Sequence, residues 1–353
     1  MPTFAAADLE QLASQLLQGA GTPPDLAAIV ADHLIEANLA GHDSHGVLRV
    51  LQYCDFILRG EIKPHEKTRV LERFPAGALL DGNACLGQVA GREATLLAIE
   101  IARETGTASV GVRNCHHTGR IGTYTLMIAG AGMIGMCFVN SGGGAQAVLP
   151  FGGLKRRLST NPISISAPQA DGPPLVVDMS TTVAPEGKVR AKFQAGKPAP
   201  DGWLVDAEGR PTNDAALLYA DPPGALVPLG GSVGYKGYCL ALMIDILAGV
   251  LTGAGGCAPD RAYPGDGLFV MAIDIARFQP LADFSQRVRD LAEYMHATPT
   301  LPSVDRVLVP GEIELQRKAA LLESGLCVED GTWNMLLVLC EKFGVTPPAA
   351  KES

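Results

Sequence analysis

Residues Gly130-Ala131-Gly132-Met133-Ile134-Gly135, GAGMIG, match G-x-G-x-x-G letter for letter. That is the spacing at which a glycine turn presents a helix N-terminus to a dinucleotide pyrophosphate. The fingerprint needs a strand before the glycines and a helix after them. Here the order is reversed: IGTYTLMIAGAG has the pattern of a helix, and MIGMCFVN that of a strand. The residues about twenty positions on, where a ribose-binding acid belongs, are Lys155, Arg156 and Arg157. GAGMIG therefore reads as a helix C-cap and a tight turn into a strand.

Working outward, TASVGVR before this helix is a β-like run, and NPISISAP and PPLVVDMST after it are short strands. AGKPAPDGWLVDAEGRPTND is mostly turn and loop, GYKGYCLALMIDILAGVLTG a strong helix, and GLFVMAIDI the last clear strand. The first sixty residues read as three helices. The third is expected to begin near Ser44, with Val47, Val50, Leu51, Cys54 and Leu58 on one face. Two C-terminal helices are expected at roughly 312–325 and 331–343.

The chain has 353 residues, enough for two domains or one elaborated one, and 47% hydrophobic content supports a sizeable core. Twenty-eight Lys and Arg against 37 Asp and Glu give a net charge of −9. That balance argues against nucleic-acid or anionic-membrane partners, so an anionic substrate must be caught by a local cationic site. The eight cysteines form no C-x-x-C pair and several sit in apolar runs, as reduced buried thiols do. No signal peptide or membrane span is apparent, and a cytoplasmic protein is expected.

Two clusters hold four of the seven histidines. In GHDSHGVLR, Ser44 as a helix cap would put His45 and Arg49 on one face near a positive helix end, which suits a carboxylate. In VGVRNCHHTGRIGTY, His116 and His117 lie in a strand-to-helix loop. There a neutral imidazole can take a proton, and Gly119 and Gly122 permit close approach of a ligand. His42, Asp43, His45, His116 and His117 also bear on metal binding, but no H-E-x-x-H pattern accompanies them and no metal is expected. Lys236, at a helix start, and Asp178, at a strand end, are further polar candidates.

Seven segments in order, AGHDSHGVLR, RNCHHTGRIG, STNPISISAP, VVDMSTT, EGKVR, GYKGYCLALMIDILAGVLTGA and VPGE, resemble the malate/L-lactate dehydrogenase family of the second type. AGHDSHG and HHTGRIG look like the versions in hydroxycarboxylate dehydrogenase B. The resemblance implies an α+β, non-Rossmann NAD(P)-binding domain with a large mixed sheet. It also implies a helical domain built from both chain ends, residues 1–75 with 305–353 against 76–304. It implies a homodimer that interconverts a 2-hydroxy acid and a 2-oxo acid with NAD or NADP. The family's proton-transferring histidine falls on His117, with Cys115 where serine is usual; in some members the helix-start histidine, here His45, is the proton donor.

Ser44 and Arg49 are the substrate residues the resemblance implies. Its cofactor contacts fall on His45, Gly119, Arg120, Ile121, Val176, Val177, Asp178, Met179, Ser180, Tyr235, Lys236, Gly311 and Glu312. Ser159, where the family has GTNP, and the glycine-rich GGSVG before Tyr235 depart from the pattern. The alternatives are a reductase of a cyclic or N-alkyl imine carboxylate and, more remotely, a metal-dependent hydrolase or a non-catalytic binding protein.

Overall fold

A computed structural model describes residues 1–141, 144, 146–194, 196–258 and 265–351. It opens with β1 (Thr3–Phe4), α1 (Ala6–Gly19), α2 (Pro24–Leu39), a 3₁₀ turn at Asp43–His45 and α3 (Arg49–Leu58). There follow β2 (Arg69–Phe74), β3 (Gly77–Asp81), α4 (Gly87–Thr105), β4 (Thr107–Cys115), α5 (Gly122–Gly130), β5 (Met133–Asn140), β6 (Ile163–Ala167) and β7 (Leu175–Met179). Next are α6 (Glu186–Gln194), the short strands β8 (Leu204–Val205), β9 (Pro211–Thr212) and β10 (Ala225–Leu226), and α7 (Tyr235–Ile244). A π-helical turn at Asp245–Val250 extends α7. The chain ends with β11 (Asp266–Asp274), α8 (Leu281–His296), α9 (Glu312–Ser324), β12 (Leu326–Cys327) and α10 (Asp330–Phe343).

Seven strands form one mixed sheet in the order β2-β3-β4-β11-β5-β6-β7. β3 and β4 run parallel, and the other neighbours run antiparallel. Alternation along β11 feeds two cores, as the period of a strand requires. Leu268, Val270 and Ala272 join Ala90, Ala94 and Ala98 of α4 and Ile128 of α5 on one face. Phe269 packs with Phe138, Ile244 of α7 and Ala248 of its extension on the other.

A separate core gathers both chain ends. Leu9, Leu12 and Leu16 of α1, Val30 and Leu34 of α2 and Val50 and Cys54 of α3 pack with Leu336 and Cys340 of α10. β1 pairs with β12, and the Phe4 and Trp333 rings lie 4.3 Å apart.

The strand–helix–strand order around GAGMIG stands as expected: Gly130 ends α5, Gly132 turns at φ +79°, and β5 starts at Met133. Three sequence expectations are corrected. Ser44 does not cap α3, which begins at Arg49 after the 3₁₀ turn. Leu58 is half exposed, and Ile57 takes its place on the buried face with Val50 and Cys54. Helix α4, strand β2 and helix α8 have no counterpart in the sequence-based expectation.

The physical reason for α4 is specific. Its glycines lower helix propensity, yet both are required by close approach. A Cβ at Gly87 would lie 2.0 Å from the His116 carbonyl oxygen, and one at Gly91 2.2 Å from the Tyr124 ring. β2 is an almost fully exposed edge strand, and α8 buries Ala292 alone among its sixteen residues, so neither carries the apolar pattern that announces an element.

Candidate active site

The two histidine clusters, 72 residues apart in sequence, meet in space. The first is held by α2: Asn38 donates from Nδ2 to Asp43 Oδ1 at 2.7 Å and accepts from the Val47 amide at 2.7 Å. The second is aimed by a bulge. β4 and β11 lose register between Asp266 and Leu268, and Asn114 adopts φ +58°, which Asn tolerates better than most residues. The bulge sends the neighbouring histidines apart. His116 turns to the Glu61 carbonyl oxygen, 2.9 Å from its Nε2, whereas His117 turns toward α3.

The His45 and His117 rings stack with centroids 5.1 Å apart and planes within 5°. His45 Nδ1 lies 3.2 Å from His117 Nε2, and His117 Nδ1 lies 2.7 Å from the Tyr53 hydroxyl. Gln88 Nε2 donates to that hydroxyl at 2.7 Å. Both nitrogens of His117 are thus engaged. His45 lines a cavity of about 500 Å³, and its Nε2 has no partner among the described residues. Burial, then Arg49, His42, His33 and Arg120, push His45 down to about 3, and burial, then Arg49 and the neighbouring histidines, hold His117 well below the ordinary range. Both rings are neutral at pH 7, so the pair can hold one more proton, and His45 Nε2 is the nitrogen through which it would enter.

Arg49 sits at the first turn of α3, beside the pair. Its Nε donates to the Ser44 carbonyl and its Nη1 to Gln52 Oε1, both at 2.6 Å. Among the described residues it has no carboxylate within ion-pair distance, and burial lowers its pKa. A part-buried guanidinium whose near partners are neutral favours an incoming anion. Ser44 is packed where a side chain at position 187 would stand, since a Cβ on Gly187 would fall 2.4 Å from the Ser44 Cβ.

The cavity also gathers Gly119, Arg120, Ile121, Asp178, Met179 and Ser180. Arg120 and Asp178 form a buried pair with Nε and Oδ2 3.1 Å apart, off the hydrogen-bonding line. The Gly122 amide at the start of α5 donates to the same Oδ2 at 3.0 Å. The positive end of α5 therefore faces the cavity wall, where an anionic group is stabilised. Gly119 holds φ +74°, and a Cβ there would come 2.4 Å from His33 Nε2.

Other sequence candidates lie off the cavity wall. Val176 and Val177 are inside β7, with the Val176 amide donating to the Pro310 carbonyl at 3.2 Å, which brings Gly311 alongside. Tyr235 and Lys236 start α7 next to Gly237, whose amide reaches Leu229 on the wall. The Glu312 carboxylate is already used by Arg306 at 2.7 Å, His296 at 3.0 Å and the Val309 amide at 2.9 Å.

Sequence reasoning missed Lys188 on the wall, although EGKVR was singled out, and Glu314 and Arg317 of α9. It also missed Tyr53, one helical turn after Arg49 and so legible as an i,i+4 partner. Nothing in the sequence marked Gln88. A larger hollow of about 720 Å³ between α1 and residues 343–349 contains no histidine or basic side chain. Among the described residues no His/Cys/Asp/Glu group has a metal-holding arrangement, and no helix is long and apolar enough to cross a membrane.

Against this geometry, the relatives are consistent with one another. The chain is 36% identical over 344 residues to the L-lactate dehydrogenase of Cupriavidus necator, covering 96% of this chain and 97% of that protein. It is 32% identical over 346 residues to hydroxycarboxylate dehydrogenase B of Escherichia coli K12, covering 97% and 94%. The fold superposes on the crystal structure of malate dehydrogenase from Entamoeba histolytica with a TM-score of 0.93 at 29% identity, over 98% of this chain and 99% of that one. The model of the malate/L-lactate dehydrogenase family matches residues 4–337. With both histidine clusters, the whole mixed sheet and helices α1 to α9 inside that match, this chain belongs to the malate/L-lactate dehydrogenase family.

Proposed function

We propose that the protein interconverts a 2-hydroxy acid and a 2-oxo acid by hydride transfer to and from NAD or NADP. The observation that carries this reading is a guanidinium with no carboxylate partner among the described residues, beside two stacked neutral histidines. A 2-hydroxy acid offers a carboxylate and a hydroxyl on adjacent carbons, which matches a cation and a proton acceptor side by side.

The residues on the cavity wall fit a nicotinamide dinucleotide. Gly119, Arg120 and Ile121 with the α5 N-terminus, and Asp178 to Ser180, would hold it, supported from behind by Val176, Val177 and Gly311. Tyr235, Lys236 and Glu312 stand farther out. When bound, the nicotinamide exchanges hydride at its C4. Arg49 orients the carboxylate, Ser44 borders it, and the His45–His117 pair takes the hydroxyl proton in oxidation and returns it in reduction. A non-Rossmann cofactor domain at 76–304, a helical domain at 1–75 with 305–353, and a homodimer complete this reading.

Following NADH and NADPH absorbance against a panel of 2-oxo acids and cyclic imine carboxylates tests it. Turnover of a 2-oxo acid is expected; turnover of cyclic imines alone would replace the substrate class, and none with either would overturn the reading. Arg49→Ala should raise the KM for the 2-oxo acid about ten- to a hundredfold, the worth of a charge-assisted bond of roughly 1.5–3 kcal/mol. NAD(P)H affinity should stay near normal, and an equal loss there would remove Arg49 from the substrate side.

A further inference from the structure

Tyr53 and Gln88 are each only 1% exposed, and no step assigned above uses them directly. They form a single file with the histidines: Gln88 Nε2 to the Tyr53 hydroxyl at 2.7 Å, Tyr53 to His117 Nδ1 at 2.7 Å, and His117 Nε2 to His45 Nδ1 at 3.2 Å. Each link needs one proton, and each neutral ring carries only one N–H. The phenol could accept from both sides only by leaving its own buried proton without an acceptor, so with every group satisfied the direction of the first link sets the others.

We propose that Gln88, acting through Tyr53, positions the protons of the histidine pair and so decides whether His45 presents an N–H or a bare nitrogen to the cavity. With the Gln88 nitrogen toward Tyr53, the phenol donates to His117 Nδ1. His117 then keeps its proton on Nε2 and donates to His45 Nδ1, so His45 carries its own on Nε2. In that order the cavity meets a donor, and the pair cannot accept from a hydroxyl. With the amide turned so that Oε1 accepts from Tyr53, every link reverses and His45 Nε2 is bare.

The reversed order also accommodates the pair after it has taken a proton. Two stacked rings with one extra proton must carry N–H at both outer nitrogens, so His117 Nδ1 must donate to Tyr53. The phenol proton then needs another acceptor, which only the amide oxygen supplies in this file. Among the described residues that oxygen is buried and without a partner as the amide now stands, as is the neighbouring Nε2 of His33. The amide nitrogen of Gln88 and His33 Nε2 border the space left free by the missing side chain of Gly119. An amide with an unsatisfied end, in a pocket with an unsatisfied neighbour, has reason to adopt either orientation.

Charged and titratable groups around the pair come from several elements: Arg49, His33, His42, His116, Arg120 and, facing Tyr53, Asp266. None of them substitutes for an acceptor at position 88, because none is hydrogen-bonded to the Tyr53 hydroxyl.

This inference rests on the proposed proton role of the pair, and its first test does not require turnover. Nitrogen-15 shifts of the imidazoles report which ring nitrogen is protonated. In the wild-type protein near neutral pH, His45 is expected protonated at Nε2 and His117 at Nε2. In Gln88→Glu, whose carboxylate only accepts, both protons should move to Nδ1. Unchanged tautomers in Gln88→Glu would overturn the proposal whatever the reaction proves to be.

The second test is the pH profile of hydroxy-acid oxidation. Gln88→Glu should move its midpoint to more alkaline pH by roughly one pH unit or more, because an acceptor and a negative charge favour the protonated pair. Tyr53→Phe should move it to more acid pH and cut kcat about tenfold or more, with KM for NAD(P)H unchanged. Two shifts in the same direction would show a merely structural role and sink the idea. If Gln88→Glu does not fold, Gln88→Met keeps the bulk without donor or acceptor. A mixture of tautomers is then expected, and a single wild-type-like tautomer overturns the proposal.

Discussion

Helix α5 has two glycine-rich ends, and they differ in everything except composition. The C-terminal end, GAGMIG, matches a dinucleotide fingerprint, yet its glycines serve a turn: Gly132 holds φ +79° and faces Leu281 of α8. The N-terminal end, HTGRIG, matches no such consensus. It nevertheless puts a backbone amide on Asp178, Arg120 and Gly119 on the cavity wall, and His117 beside His45. The difference is one of polarity: unpaired N–H groups emerge only at a helix N-terminus. A glycine motif matters for phosphate binding through the direction of the helix attached to it.

Substitutions at the two ends can break this contrast, and the largest effect belongs at the N-terminal end. General acid–base assistance is worth about 10²–10⁴ in rate. His117→Asn should therefore lose at least about a hundredfold in kcat while still binding NAD(P)H. His116→Asn, whose ring is turned to the Glu61 carbonyl, should keep most activity. A dead His116 variant beside an active His117 variant would reverse the assignment.

Next in size is Asp178→Ala. Leaving the buried Arg120 without its carboxylate should cost about 3–5 kcal/mol of stability. Denaturant unfolding measures it, and a loss below about 1 kcal/mol would mean that solvent already serves Arg120.

A pH effect follows at the same end. His33, 3% exposed, is pushed by burial, and then by Arg120, from its ordinary 6.5 to about 3. Between those values the unfolded chain holds the proton and the folded chain does not. Stability is therefore full above about pH 6.5 and falls as pH drops, by up to about 1.4 kcal/mol per pH unit for this one ring. Unfolding midpoints from pH 7 to 4 check this, and His33→Gln should flatten the slope. An unchanged slope would remove His33 from the account.

The smallest effect belongs at the decoy end. Gly132→Ala adds a Cβ at a left-handed position and should cost about 1 kcal/mol, with NAD(P)H affinity intact. Lost cofactor affinity at unchanged stability would restore the fingerprint reading.

The contrast also shows what was legible in the sequence. The order helix–GAGMIG–strand was readable because α5 and β5 are two apolar runs parted by glycines that punctuate the chain. Arg49 and both histidine clusters were legible as chemistry, but their meeting was not, because it depends on the β4 bulge and on Asn38 at the end of α2. The site residue with the least signal, Gln88, lies in a helix whose glycines disguise it, and those glycines exist to admit the backbone of His116 and the ring of Tyr124. Local propensity failed where tertiary contact set the residue.

The pairing of β1 with β12 has a consequence for how the chain is made. Thr3 and Phe4 pair with Cys327 and Leu326, and the core of α1, α2 and α3 is closed by Leu336 and Cys340. On a ribosome adding about 5–20 residues per second, the first three helices wait on the order of tens of seconds for the segment that covers them. Their exposed leucines are then a liability of synthesis rather than of the finished protein, and that pairing closes a long loop, from Thr3 to Cys327. Slow, late completion of the helical core is built into the connectivity.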